Sequence, residues 1–370
     1  MTVSIIIPVY NAREYLSRTA GDLLHQSFRG IEVIFVDDGS TDGTGQILDR
    51  IAAKDKRVRV LHKENGGTAR ARNAGMKVAS GEYLMFMDDD DRITRSHVQE
   101  YASAIKETGA DIVIGGYQRV TPDGKVLFTR RLMRGRRQVR SERWGSPSGR
   151  EGIHDDSAVS PGRISIHDDS AISTGCIGCG RGGTHGPSWL AYISSSPWAK
   201  IYRRSFVEAC GAHFLEYPYG EDVYFHMGLL AANPRIAYSS SVSYGWVDRK
   251  ESISNTIHRG MHEEANVFPL LNQVLKVHPQ RGEFFRYFMY RHCAYHIYTA
   301  GRDAEPEKLK QEIKLCHEWL KRNHSLSVLS PLSPKLEGEI LRDRIAVLVI
   351  RWMFRLHMES LFAWIYCNGQ

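Results

Sequence analysis

Along the first third of the chain, apolar residues come in short runs that alternate with segments of helical spacing. Val3 to Val9 is rich in β-branched residues, the pattern of a strand covered on both faces. Pro8 stands near its end, where a missing N–H costs least. Ala12 to Gln26 places Leu16, Ala20, Leu23 and Leu24 on one helical side. Glu32 to Val36 predicts a second strand. It runs into Asp37-Asp38-Gly39-Ser40-Thr41-Asp42, a turn that caps a following helix. Val58 to His62 predicts a third strand, Asn65-Gly66-Gly67 breaks the chain, and a helix continues to Val78. Tyr83 to Met87 and Asp111 to Gly116 predict two more strands. Strand and helix alternating over short connections predict an α/β fold with a parallel, right-handed βαβ sheet.

The pattern then changes. From about residue 129 to 190 the chain is rich in Arg, Gly and Ser and loses its periodicity. It carries a near-repeat, Ile153-His-Asp-Asp-Ser-Ala and Ile166-His-Asp-Asp-Ser-Ala, and reads as an insertion over the site. Order returns at Pro197-Trp198-Ala199-Lys200-Ile201-Tyr202. A helix opens at Gly220-Glu221-Asp222, and a strand spans Arg235 to Val247. Beyond about His258 the chain is helical and aromatic. The expected organisation is therefore an α/β domain over 1–257 and a helical region over 258–370. The last predicted helix, Ile340 to Tyr366, carries Arg344, Arg351 and Arg355 along an otherwise apolar surface. Such a helix either docks on protein or lies in a membrane interface with Trp352, Phe354 and Trp364 as anchors.

Composition changes this picture only a little. An apolar fraction of 42% is ordinary for a globular protein, and a net charge of +7 suits acidic partners such as nucleotide diphosphates or anionic lipid. Six cysteines in 370 residues make no disulfide framework, so reduced thiols in the cytoplasm are expected. The start of the chain reads as a strand rather than a signal peptide. No run reaches the roughly 18 apolar residues that span a bilayer. Cys176-x-x-Cys179 with His185 lacks the second pair of a zinc site.

The chemistry gathers at Asp88-Asp89-Asp90-Asp91, directly after the fourth strand. Four adjacent carboxylates repel one another and call for a compensating cation. Their hard oxygens suit Mg²⁺ or Mn²⁺. Open α/β sheets bind ligands at this position, past the carboxyl ends of the strands. By itself the run also fits a solvated acidic turn before the helix that follows Thr94.

Four segments in order, Ile5-Ile-Ile-Pro8-Val-Tyr10-Asn11, Val36-Asp-Asp-Gly-Ser-Thr-Asp-Gly-Thr44, Ala71-Arg-Asn-Ala-Gly75 and Gly81-Glu-Tyr through Asp91, resemble the family 2 glycosyltransferases of bacterial surface-polysaccharide type. The resemblance is close over about residues 1–116 and resumes over 198–254. It implies a GT-A fold, a nucleotide-diphosphate sugar donor (UDP-sugars foremost), a divalent metal and inversion at the anomeric carbon. It further implies that Pro8, Tyr10, Asp37 and Asp38 form the nucleotide pocket, with Asp38 ahead of Asp37 as the base contact. Arg72, Asp88 and Asp89 would support the donor, with Asp90 as metal ligand and Asp222 as general base. Trp198, Lys200, Glu221 and Arg249 would stand near acceptor or diphosphate. The plain alternatives are turn and cap roles for Asp37 and Glu221, and packing for Trp198. The acceptor would be a saccharide or lipid-linked saccharide, with peripheral membrane contact through 340–366 at the cytoplasmic face.

Rival readings fit less well. A nucleotidyltransferase or dinucleotide oxidoreductase needs a glycine-rich loop after the first strand, and Val9-Tyr10-Asn11-Ala12 is not one. No recognition motif supports nucleic-acid binding. An inactive nucleotide-sugar-binding scaffold remains the non-enzymatic alternative, and the presence of both Asp90 and Asp222 argues against it.

Overall fold

The computed structural model describes residues 1–132, 164–165, 196–217, 220–232, 234–249, 267–277, 283–301, 303–326, 330–333, 336 and 341–368. The cysteine pair, His185 and the His-Asp-Asp repeat lie outside them, as does most of the expected insertion. Two compact units divide the chain: 1–175, 196–216 and 228–249 in one, and 176–195, 217–227 and 250–370 in the other.

The first unit is built on a mixed sheet. Strands β1 (Val3–Val9), β2 (Ile31–Asp37), β3 (Val58–His62) and β4 (Tyr83–Phe86) are joined by helices α1 (Leu16–Leu24), α2 (Thr44–Ala52) and α3 (Thr68–Val78). They pair in parallel in the order β3-β2-β1-β4. All seven residues of β1 are buried, as expected for a strand covered on both faces. The sheet continues through β6 (Ile112–Val120) and β10 (Ile236–Val247), which are parallel to each other, with β7 (Val126–Arg130) on the side of β6.

The sheet is mostly parallel, as expected, and departs from parallel pairing at one inserted strand and at its far edge. Strand β9 (Lys200–Arg203) inserts between β4 and β6 and is antiparallel to both. It is only four residues long and enters the sheet from far along the chain, so local alternation did not reveal its pairing. At the other edge β5 (Arg92–Ile93) pairs antiparallel with β10, as does β8 (Ile164–Ser165). Helices α4 (His97–Thr108) and α5 (Arg204–Ala209) complete the unit.

The first helix starts at Leu16, later than its periodicity suggests. Asn11 has φ 49°, and the N–H groups of Asn11, Ala12 and Arg13 donate to Ser40, Thr44 and Asp42 at 3.0, 3.0 and 3.2 Å. The loop after β2 thus claims donors that a longer helix would have left to solvent. Gly39 makes that loop feasible, since it has φ +76° and a side chain there would meet the Asn65 backbone at 2.8 Å. Gly75 lets α3 lie directly on β1, because a Cβ would overlap Ile6.

The second unit contains helices α7 (Phe268–Val277), α8 (Glu283–Ala300), α9 (Pro306–Arg322), α10 (Leu341–Arg355) and α11 (Glu359–Asn368), and it holds the opening of α6 (Glu221–Ala231). Buried Leu271, Phe288, Ile297, Ile313, Leu320 and Ile350 form part of its apolar interior. Trp319 Nε1 donates to Asn272 at 2.9 Å, and Tyr366 donates to the Tyr298 carbonyl at 2.6 Å. The single C-terminal helix expected over 340–366 is two. His357 takes φ 55°, and the Met358 N–H closes on the Met353 carbonyl at 3.0 Å, a left-handed helix stop. Among the described residues no helix is long and apolar enough to cross a membrane.

Candidate active site

Because β1, β2 and β4 run in parallel, their carboxyl ends open on one edge of the sheet, where α/β folds bind ligands. Tyr10, Asp37-Asp38 and Asp88 to Asp91 emerge there. The backbone fixes their spacing: the Asp38 N–H donates to the Val9 carbonyl at 2.8 Å, and Met87 to Ile6 at 3.2 Å. Pro8 is buried in register with Val36, so it shapes the strand end, whereas Tyr10 is half exposed at 51% and presents its ring outward.

Asp37 and Asp38 divide their work. Asp37 accepts from the Ser40 N–H at 3.0 Å and meets His62 Nδ1 at 2.9 Å, holding the turn to β3. Asp38 is buried and accepts from the N–H groups of Gly66 and Gly67, at 3.1 and 2.7 Å, and from the Lys63 ammonium. It fastens the loop between β3 and α3 against the mouth of the site.

The carboxylate run is not a solvated turn. Each aspartate has a separate partner. Arg72 of α3, itself buried with its guanidinium 5.3 Å over the Phe214 ring, donates to Asp88 at 2.7 Å. Asp89 accepts the Tyr10 N–H at 3.2 Å. Asp90 receives two guanidinium nitrogens of Arg249, at 2.7 and 2.5 Å, and Arg249 also lies 4.1 Å over the Tyr15 ring. Asp91 is fully buried, accepting Tyr244 Oη at 2.5 Å and the Val247 N–H at 2.8 Å. Helix α1 holds the backbone of the run: Thr19 donates to the Asp89 carbonyl at 2.7 Å and Arg18 to that of Asp90 at 3.0 Å.

Burial and crowding work against ionisation of the run. Burial, then the charge of Asp90, pushes the Asp89 carboxyl up to about 8. Asp90 is raised by burial and by Asp88, with Arg249 pulling the other way. Asp91 is raised well above the carboxylate range, first by burial and then by Asp90 and Asp88. Carboxylate oxygens are the hard donors that Mg²⁺ or Mn²⁺ takes. Among the described residues no three His, Cys, Asp or Glu side chains surround one point.

The remaining expected residues have other partners. Trp198 is buried in an aromatic stack, parallel to Tyr244 with ring centroids 4.9 Å apart and edge-on to Tyr117 at 4.8 Å. Lys200 is buried in β9 and donates to the Ser196 carbonyl at 2.5 Å. These contacts are those of packing. Glu221 and Asp222 belong to the second unit, at the start of α6. There Asp222 accepts the Val223 N–H at 2.7 Å, and its carbonyl meets His226 Nδ1 at 2.8 Å.

Four contributors escaped the sequence reading: Arg18, Thr19, Lys63 and Tyr244. Lys63 follows β3 directly, and that position was a usable signal. The others read as ordinary helix and strand residues, and only their partners distinguish them.

Residues 4–163 match the model of glycosyl transferase family 2. This stretch of the chain is similar to a family 2 glycosyltransferase domain. Over 128 residues it is 44% identical to glycosyltransferase GlyG of Streptococcus pneumoniae, covering 34% of this chain and 42% of that protein. Over 126 residues it is 38% identical to the putative teichuronic acid biosynthesis glycosyltransferase TuaG of Bacillus subtilis, covering 34% and 50%. The chain thus spans half or less of the length of these curated relatives. Among solved structures it is similar to Staphylococcus aureus TarS 1–349 in complex with UDP-GlcNAc, at TM-score 0.58 and 21% identity over 96% of this chain and 92% of that one. The same protein in complex with UDP gives TM-score 0.59 at 20% identity with the same coverage. The transferase domain has the GT-A fold, as its strand order and motif positions lead one to expect.

Proposed function

We propose that the protein is an inverting glycosyltransferase that moves a sugar from a nucleotide-diphosphate donor to a hydroxyl of a saccharide or lipid-linked saccharide. The observation that carries this reading is the meeting of Asp38, Asp88, Asp89, Asp90, Arg72 and Arg249 at one edge of a GT-A sheet. A UDP-sugar is the donor proposed, in line with the UDP and UDP-GlcNAc bound by TarS 1–349.

In this reading Tyr10 offers its exposed ring to the base, and Asp38 keeps the loop of Gly66 and Gly67 open beside it. Asp90, with Asp88 and Asp89 beside it, would hold Mg²⁺ or Mn²⁺, which would supply charge neutralisation to the diphosphate leaving group. Arg72 and Arg249 hold the outer carboxylates in place and add positive charge on the phosphate side. Asp222 takes the proton of the acceptor hydroxyl. The acceptor oxygen then bonds to the anomeric carbon from the face opposite the diphosphate, whose bonding pair leaves with it. A lipid-linked acceptor brings such an enzyme to a membrane surface, and the helices within 340–366 are the proposed point of contact.

Donor turnover measured with Mn²⁺ and with chelator tests the reading. Asp222→Asn is expected to lower kcat by about 10²–10⁴, with donor affinity nearly unchanged. Wild-type turnover in that variant removes the assignment of the base. Failure of every nucleotide sugar to bind or react removes the transferase reading.

A further inference from the structure

Helix α10 has two apolar faces, and protein covers one of them. Val347, Ile350, Met353 and Phe354 are buried, and the Phe354 ring stacks on His317 of α9 at 4.3 Å. Leu341, Ile345, Val349 and Trp352 are exposed by 67, 50, 37 and 50%, and Leu356 just beyond the helix by 55%. At 3.6 residues per turn these five fall within an arc of roughly 80°, on the side away from the buried set. The exposure runs on through α11, where Leu361, Trp364 and Ile365 are exposed by 46, 61 and 55%. One scattered apolar residue is normal on a surface, but a stripe and a second patch along successive helices are not.

Charge identifies the occupant. Between 341 and 368 four arginines face two carboxylates, Asp343 and Glu359. The carboxylates are withdrawn: the Glu359 side chain is 13% exposed and turns to His317 at 3.6 Å, and that of Asp343 is 27% exposed. Arg344 is also spent inward, on the carbonyls of Pro331 and Ser333. The Arg342 side chain is 80% exposed beside Asp343, and Arg355 is exposed with its guanidinium 5.5 Å over the Trp352 ring. On the helical wheel Arg342 lies roughly 20° beyond one edge of the stripe and Arg355 roughly 40° beyond the other. An apolar band edged on both sides by arginine, with exposed tryptophans, suits the boundary between acyl chains and anionic headgroups. Pairing with a second copy would bring arginine against arginine, since Asp343 is already engaged with Arg342 at 3.2 Å and Glu359 turns to His317.

We propose that the exposed stripe of α10, with the patch on α11, docks the protein on an anionic lipid surface. The contact lies in the interface plane and does not cross the bilayer. This deepens the membrane contact named above but does not rest on sugar transfer, because lipid binding is measured with no donor present.

The test is flotation of the full chain with vesicles of phosphatidylcholine alone or mixed with phosphatidylglycerol, over a range of salt. Roughly fivefold for each of two exposed arginines predicts about twenty-five-fold tighter binding to the mixed vesicles, falling as salt rises. The double variant Trp352→Ser/Trp364→Ser should lose binding to both. Arg342→Glu/Arg355→Glu should lose the preference for phosphatidylglycerol. Both should melt like the wild type, since the changed side chains are at the surface. Equal binding to the two vesicle types, or none at low salt, overturns the proposal. So does a dimer in sedimentation that Trp352→Ser splits while vesicles bind nothing.

Discussion

Asp91 is the fourth of four adjacent aspartates, and it alone among them is fully buried. Its Oδ2 accepts the Tyr244 hydroxyl and its Oδ1 the Val247 N–H, so it ties the carboxylate turn to β10 and faces away from the mouth. Tyr244→Phe strands one oxygen of a buried carboxyl. It should cost about 1–3 kcal/mol of stability in urea unfolding, because the lost bond cannot be replaced by water. Arg249 is the opposite kind of residue, an ion-pair partner at the edge of the site. Under the proposed function Arg249→Ala should lower kcat by about 10²–10³, with Arg249→Lys recovering part of it. Lysine keeps the charge but not the two-pronged contact with Asp90. As letters the four aspartates are equivalent, and nothing local distinguishes them. Their partners stand up to 159 residues away, so their separate roles could not be read from the run itself.

At the scale of elements, α3 and α4 carry the consequences. Gly75 allows α3 to lie on β1 and thereby sets the position of Arg72 on the same helix. Gly75→Ala should cost about 1–3 kcal/mol by overpacking against Ile6, and should lower activity by moving Arg72 from Asp88. Circular dichroism melting and turnover read the two effects separately. On α4, His97 is buried against β10, with Nδ1 2.8 Å from Ser243 Oγ and its ring 4.7 Å from that of Tyr101. Burial lowers its pKa to about 3, so the folded protein keeps it neutral. Below about pH 6.5 the unfolded chain takes up a proton that the folded one refuses. Stability therefore falls with acid, by on the order of 1.4 kcal/mol per pH unit until about pH 3. Replacing His97 with Gln should remove that slope from a plot of unfolding free energy against pH. The elements themselves were largely legible, since runs of β-branched residues and helical spacing report burial directly. The start of α1 was not, because it depends on donors claimed by the loop after β2. Nor was the break at His357, where a histidine takes the left-handed conformation usually given to glycine.

For the whole molecule, the proposed ligand should act as a stabiliser. UDP with Mn²⁺ at a hundredfold excess over Kd should add about 2.7 kcal/mol and raise Tm by several degrees. Chelator should return Tm close to the value without ligand, and UDP alone should do little. A Tm indifferent to both would count against a cation-assisted nucleotide site. The sequence by itself determined the alternation of strand and helix, the parallel sense of the first four strands, and the motifs that mark a family 2 transferase domain. These follow from local periodicity and from turn chemistry, which each segment carries within itself. Tertiary structure alone decided that β9 would enter the sheet antiparallel between β4 and β6, and that Asp90 would meet Arg249 while Asp91 turned inward. It also left one apolar face of α10 uncovered. Each of these depends on which distant segment closes against which. A short strand, a carboxylate or an apolar stripe takes its role from the neighbour it finds there, and no local pattern names that neighbour.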